Sequence, residues 1–211
     1  MANKPQSKEI KKKKPTFTEQ ARKKQILEIS MDLFRESGYE NTSIADIAKM
    51  AGISRGVIFY YFEGKKELGE QVIRQSLKNY GRYVQTRVNK KHTASEKLLE
   101  FVEACLDYTS VHHEDWIVFV DTIGRVGNNT EKNGALAWMS ERTQENLVTI
   151  IIEGQNAGEI ETYPAQELSW ILHGVVDGLM SLVAIQPNEL DIPACKKLLK
   201  TILIKTFQPA K

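Results

Sequence analysis

The stretch SIADIAKMAGISRGVIFYYF, residues 43–62, decides the fold. Ser43, with Asp46 three positions on, reads as a helix cap with an acid in the first turn, and this short helix runs to Ala51 before Gly52 breaks it. Ser54 starts a second short helix that ends near Phe62, with Gly64 behind it. Two short helices joined by Gly52-Ile53-Ser54 have the spacing of a helix-turn-helix: glycine supplies left-handed backbone, Ile53 plugs the core and Ser54 caps the second helix. In such a unit the second helix enters the DNA major groove with its N-terminal residues at the base edges. Those residues are Ser54, Arg55, Gly56 and Val57. Arg55 can pair bidentately with guanine O6 and N7, Gly56 permits close approach, and Val57 offers an apolar contact such as a thymine methyl.

A glycine turn occurs in many helical hairpins; the aromatic run Phe59-Tyr60-Tyr61-Phe62 sets this one apart. Four consecutive rings are too many for one short helix to bury, so at least one tyrosine faces outward as a phosphate or base ligand. Lys65 adds a charge at the start of the next helix, where the helix N-terminus also favours a phosphate.

Outward from this segment, strand alternation is almost absent and helical periodicity is everywhere. Thr16-Phe17-Thr18-Glu19 forms a capping box for a first helix that Gly38 ends. From Lys65 a helix of roughly 25 residues continues to about Lys90, twice the usual length, and reads as a connector. Thr93-Ala94-Ser95-Glu96 is a further capping box, and later helices are expected over Glu114–Val126, Thr130–Gly154, Pro164–Ile185 and Asp191–Phe207. The expectation is an all-α protein of about nine helices in two parts: a basic arm (1–16) leads into a helix-turn-helix domain (17–64), and a helical domain completes the chain (65–211).

Composition excludes several classes. The chain has 211 residues, 41% hydrophobic and 27% charged, with two cysteines, Cys105 and Cys195, far apart and in no metal-ligand spacing. His112 and His113 beside Glu114 and Asp115 are a weak metal pattern, since adjacent histidines point to different sides of a helix; no metal or cofactor is expected. No signal sequence follows the basic start. The most apolar window, Ser169–Ile185, is interrupted by His173 and Asp177, so no membrane span is read and a cytoplasmic location is expected. The net charge of +2 is uneven: residues 1–16 hold six Lys and one Glu, residues 17–68 eight charges of each sign, and residues 69–211 fifteen basic against eighteen acidic. A basic arm on a neutral head and acidic body points to nucleic acid or an anionic surface at the N-terminal end; a solvated tail has the same composition.

Thr42 to Ala48, Ala51 to Gly56, Phe59 to Phe62 and Lys65 to Leu68 together resemble the DNA-binding domain of the TetR (tetracycline-repressor) family of bacterial transcriptional regulators. The resemblance runs from about Ile26 to Leu68. It implies a homodimer whose heads read a palindromic double-stranded DNA operator, and a C-terminal domain that dimerises and binds a small-molecule effector. Carried over, it assigns Thr42, Ser43, Tyr60 and Lys65 to phosphates and Arg55, Gly56 and Tyr61 to base reading. Val57 stands where a Thr is frequent and Tyr61 where a His is frequent, which bears on the operator sequence. The stretch Glu153 to Ile160 with the later Val176-Asp177-Gly178-Leu179 resembles C-terminal domains of several members, including those related to the choline-responsive betaine regulator. Apolar positions on the last two helices, among them Leu172, Val175, Val176, Leu179, Leu182, Val183, Leu198, Leu199, Ile202 and Leu203, suit a four-helix dimer interface. Candidate pocket residues are Phe101, Cys105, Tyr108, Trp116, Phe119, Trp138 and His173, with Asp177 able to meet a cation.

The functional expectation is a ligand-responsive regulator, a repressor or, by the same binding, an activator. The other class weighed is an enzyme housed in the helical domain; against it, no nucleophile elbow, P-loop, HExxH or metal-ligand spacing is found.

Overall fold

The computed structural model describes residues 16–126, 134–186 and 189–207. The Lys-rich arm before Thr16 and the expected helix start at Thr130 lie outside these residues. Within them the chain forms nine helices and no strand: α1 (Phe17–Asn41), α2 (Ile44–Met50), α3 (Arg55–Tyr61), α4 (Lys65–Val88), α5 (Ala94–Val111), α6 (His113–Val126), α7 (Ala135–Asn156), α8 (Ala165–Ile185) and α9 (Ile192–Phe207). Capping boxes start α1 (Thr16 with Glu19), α2 (Ser43 with Asp46) and α5 (Thr93 with Glu96). Each satisfies two orphan helix donors, which is why these starts are sharp. Gly38, at φ +78°, interrupts α1 at the expected end, and one further turn carries the chain to Asn41.

α4 is the spine. Its Leu68 closes a small core with Ile26, Ile47, Ala48, Ile58 and Phe62 of the head. One and two turns on, Val72, Ile73 and Leu77 join a middle core with Phe34 and Tyr39 of α1 and Val118, Phe119 and Val126 of α6. Val84 and Val88 then enter the large core that α5, α7, α8 and α9 complete. At about 1.5 Å per residue α4 runs some 36 Å, so one rigid rod shares side chains with all three cores. The segment read as a connector is structural throughout.

A polar network fixes the far end of α4 to α5 and α9. Arg87 donates to Glu100 (2.5 Å), Asp107 (2.7 Å) and the Tyr83 hydroxyl (3.1 Å). Lys91 pairs with Glu100 at 3.1 Å, and Lys196 donates to Asp107. Burial opposes ionisation of both carboxyls, yet these bonds prevail and hold Glu100 and Asp107 below the usual carboxylate range. The 153–160 stretch also has a structural use, since the Glu159 carboxylate accepts from the backbone N–H groups of Ala94 and Ser95 at the start of α5.

The apolar positions of α8 expected to suit a dimer interface divide between two faces. Leu172, Val176, Met180 and Val183 are buried, whereas Val175 and Leu182 point outward beside Trp170, Ile171 and Ile185. On α9, Leu203 is buried while Leu198 and Ile202 are exposed. Apolar residues on three sides of a helix satisfy a periodicity test without revealing which side meets this chain's own core. α8 is also the one helix among the described residues long and apolar enough to cross a bilayer, and one of its faces is core here.

Candidate functional site

The turn between α2 and α3 forms as glycine chemistry dictates. Gly52 takes φ +64°, its N–H bonds the Lys49 carbonyl (3.2 Å), and the Ile53 N–H reaches back to Ala48 (3.0 Å). This is a Schellman closure. Ser54 Oγ then accepts from the Val57 N–H at 3.4 Å. Ile58 and Phe62 turn inward, fully buried, which leaves Ser54, Arg55 and Gly56 exposed on the first turn of α3 with Val57 half-buried. Arg55 has no hydrogen-bond or charge partner among the described residues, so its guanidinium is unspent.

The remaining head residues are more constrained. Tyr60 is 71% exposed, and its hydroxyl donates to Glu19 at 3.1 Å, a bond that raises its pKa; a phosphate at Tyr60 would displace this carboxylate. Tyr61 is half-buried and edge-on to Tyr60, centroids 4.9 Å apart. Ser43 is held in its capping box, its hydroxyl donating to Asp46 at 2.5 Å. The Lys65 ammonium donates to the Glu40 carbonyl (2.9 Å) and lies over the Tyr39 ring (4.5 Å). Thr42 is a correction: it is 2% exposed, and its hydroxyl donates inward to the carbonyls of Gly38 (2.9 Å) and Leu33 (3.3 Å). The hydroxyl is thus spent on carbonyls of α1 around the break at Gly38, and the side chain is turned inward.

In the body, α4 to α8 enclose a cavity of about 310 Å³. Of the eight expected pocket residues, Tyr108, Trp116, Phe119, His173 and Asp177 meet there. Trp116 stacks on Phe119 (5.2 Å) and donates its indole N–H to the Met180 carbonyl (3.2 Å). The polar side is ordered by a chain of bonds. The Ser169 hydroxyl lies 2.5 Å from the Gln144 side-chain amide and 2.7 Å from the Gln166 carbonyl, and the Gln144 amide is hydrogen-bonded to His173 Nδ1 (2.9 Å). The other ring nitrogen of His173, Nε2, faces Asp177 at 3.3 Å. Asp177 stands at the mouth, its carboxyl raised by burial against the wall and partly lowered again by His173.

Cys105 is a correction. It is fully buried behind the cavity, accepts a hydrogen bond from the Tyr80 hydroxyl (3.0 Å), and burial pushes its thiol up to about 12. Phe101 and Trp138 line a neighbouring groove of about 630 Å³ between α4 and α7. Sequence reading missed Ser76, Tyr80, Met139 and Thr143 on the cavity wall. Ser76 was the detectable one: a hydroxyl on the apolar face of α4, buried with no partner for its Oγ among the described residues.

α6 joins this cavity to the head. Asp115 lines the cavity and pairs with Arg35 of α1 at 2.6 Å, and Glu114 stands 3.5 Å from the same guanidinium. Lower on α6, the Asp121 carboxylate accepts from the Tyr39 backbone N–H (3.1 Å) and from Arg125 (2.6 Å).

Comparison with known proteins agrees with both halves. Residues 26–72 match the family of bacterial regulatory proteins of the tetR type, and residues 94–208 match the BetI-type transcriptional repressor C-terminal family. A fatty acid metabolism regulator protein of Bacillus subtilis is 21% identical over 196 residues, 92% of this chain and 97% of its own. Two solved structures share the fold. A putative transcriptional regulator from Saccharomonospora viridis in complex with choline has a TM-score of 0.74 and 24% identity, covering 89% of this chain and 97% of its own. The regulator FadR from Bacillus subtilis in complex with stearoyl-CoA has a TM-score of 0.70 and 19% identity, covering 88% and 99%. With a capped helix-turn-helix at one end, a lined cavity at the other and family matches over both, the chain belongs to the TetR family of bacterial transcriptional regulators.

Proposed function

We propose that this regulator is a homodimeric, cytoplasmic repressor that holds a palindromic operator through α3 and releases it when a small molecule fills the α4–α8 cavity. The observation that carries the reading is Asp115, a side chain that lines the cavity and grips Arg35 of the head. A molecule that displaces the α6 wall also displaces α1, and with it the recognition helices, which must sit about 34 Å apart in a dimer to enter successive major grooves. The choline and stearoyl-CoA held by the two solved relatives support an effector in this body. The outward apolar face of α8 (Trp170, Ile171, Val175, Leu182) and that of α9 (Leu198, Ile202) support a dimer built by these helices. Base reading falls to Ser54, Arg55, Gly56, Val57 and Tyr61, and phosphate contact to Ser43, Tyr60 and Lys65.

The test is Arg55→Ala, measured by fluorescence anisotropy on a duplex selected by the wild-type protein and on a random duplex. Affinity for the selected duplex should fall by about 1–3 kcal/mol with one base position relaxed, while random DNA is nearly unaffected. Equal losses on both duplexes would remove Arg55 from base reading.

A further inference from the structure

We infer that the groove beside the cavity is a second, connected subsite, which takes the anionic head of an amphiphilic ligand whose apolar tail occupies the cavity. The inference rests on the reading that the cavity holds the effector, and it assigns that effector's chemistry. Four basic side chains line the groove: Lys78 and Arg82 from α4, Lys97 from α5 and Arg142 from α7. Glu153 is its single acid and is already paired with Lys97 at 3.6 Å. Lys78, Arg82 and Arg142 have no carboxylate partner among the described residues. Arg142 lies over the Trp138 ring, 5.9 Å from its centroid. Three unpaired cations above an apolar floor form a site for an anion carried on a hydrocarbon.

Tyr80, Met139 and Thr143 line the groove and the cavity alike, so the two spaces share one wall. Gly81 thins that wall: a Cβ there would stand 3.2 Å from Met139 Cε. Part of that shared wall is therefore the end of one unbranched, flexible side chain, which can adjust to a tail. Beyond it lie Leu77, Trp116, Phe119 and Ile123. The carboxylates on the cavity side do not recommend a cationic head, because Asp115 is engaged by Arg35 and Asp177 by His173.

The test uses four ligands built on a twelve-carbon chain, each below its micelle-forming concentration or, for dodecanol, its solubility limit, titrated calorimetrically into the full-length protein without DNA. Dodecyl phosphate should bind at least tenfold more tightly than dodecanol, with dodecanoate between them if one negative charge suffices in part and equal to dodecyl phosphate if it suffices fully. The Arg82→Gln/Arg142→Gln variant, changed only at exposed side chains, should lose at least tenfold for dodecyl phosphate while dodecanol stays within twofold. Ser76→Leu, which fills the cavity, should weaken dodecyl phosphate and dodecanol alike. Dodecyltrimethylammonium binding as tightly as the phosphate, an unchanged phosphate affinity in the double variant, or Ser76→Leu sparing the tail would each overturn the inference. Because the titration needs no DNA, its failure is separate from a failure of the regulator reading, which shows as absent operator binding by the ligand-free protein.

Discussion

Ser54 to Val57 stand outside a core of six buried side chains, whereas Ser76, Tyr108, Trp116 and His173 stand inside a shell contributed by five helices. The head is convex: Ser54, Arg55 and Gly56, proposed above to read bases, project from the core, and local devices hold them in place, the Gly52 turn and the Ser54 cap. The body is concave: each cavity residue is also a packing or hydrogen-bonding residue, and moving one moves the wall. Substitutions in the head should therefore separate stability from recognition. Those in the body should couple them.

The largest effect that would sharpen this contrast is Ile58→Ala. Ile58 is fully buried between α1, α2 and α4, and truncation to alanine costs about 3 kcal/mol with little room for collapse in so small a core. Hydrogen exchange should show α2 and α3 losing protection while α5 and α7 keep theirs. Equal loss throughout would mean that α4 makes head and body one cooperative unit, and the contrast would break.

Next is Arg87→Met in the body, expected to cost about 2–3 kcal/mol because Glu100 and Asp107 lose their shared donor. Both carboxyls are lower in the folded protein than in the unfolded chain. Their contribution is thus complete above the ordinary carboxylate range, roughly pH 4, and fades as pH falls from there through their lowered values. Urea midpoints at pH 7 and pH 3 should therefore differ less in Arg87→Met than in the wild type.

The same contrast governs what the sequence makes legible. Capping boxes at Thr16, Ser43 and Thr93 and the left-handed Gly52 depend on residues within a few positions of one another, so they can be read directly. The cavity depends on which side of each helix meets which neighbour. Phe101, Cys105 and Tyr108 share one face of α5 by spacing, yet Tyr80 of α4 covers Cys105 and separates Phe101 into the outer groove. Tyr80 is hard to read because a helix as long as α4 has the look of a connector, and a connector has no wall to line. Thr42 misleads because its hydroxyl turns inward to carbonyls of α1 beside the break at Gly38, which local capping rules do not reveal.

Gly69 tests the seam between the two regions. A Cβ there would lie 2.6 Å from Val126 Cγ2 of α6 and 2.8 Å from Tyr39 Cε2 of α1. Neither atom belongs to a long flexible chain, so Gly69→Ala should cost about 1–2 kcal/mol by overpacking. On the proposed mechanism it should also shift the ligand dose that releases DNA, because it separates the helices that link cavity and head. A stability loss with an unchanged ligand response would place the coupling on Arg35–Asp115 alone.

The smallest effect is the most delicate for the comparison, since Lys65 lies on the boundary. Its ammonium gives one hydrogen to the Glu40 carbonyl and rests over Tyr39, contacts worth about 1 kcal/mol together at a partly exposed site. An ammonium has three donors, so the same group retains two for a phosphate. If Lys65 belongs to the head, Lys65→Ala should weaken selected and random duplexes alike and flatten the dependence of log K on log salt by about one unit, with little loss of stability. If it belongs to the seam, the stability loss should appear with the salt dependence unchanged. Holding position by one donor while offering two to DNA predicts both changes at once, a flatter salt slope and a stability loss of no more than about 1 kcal/mol.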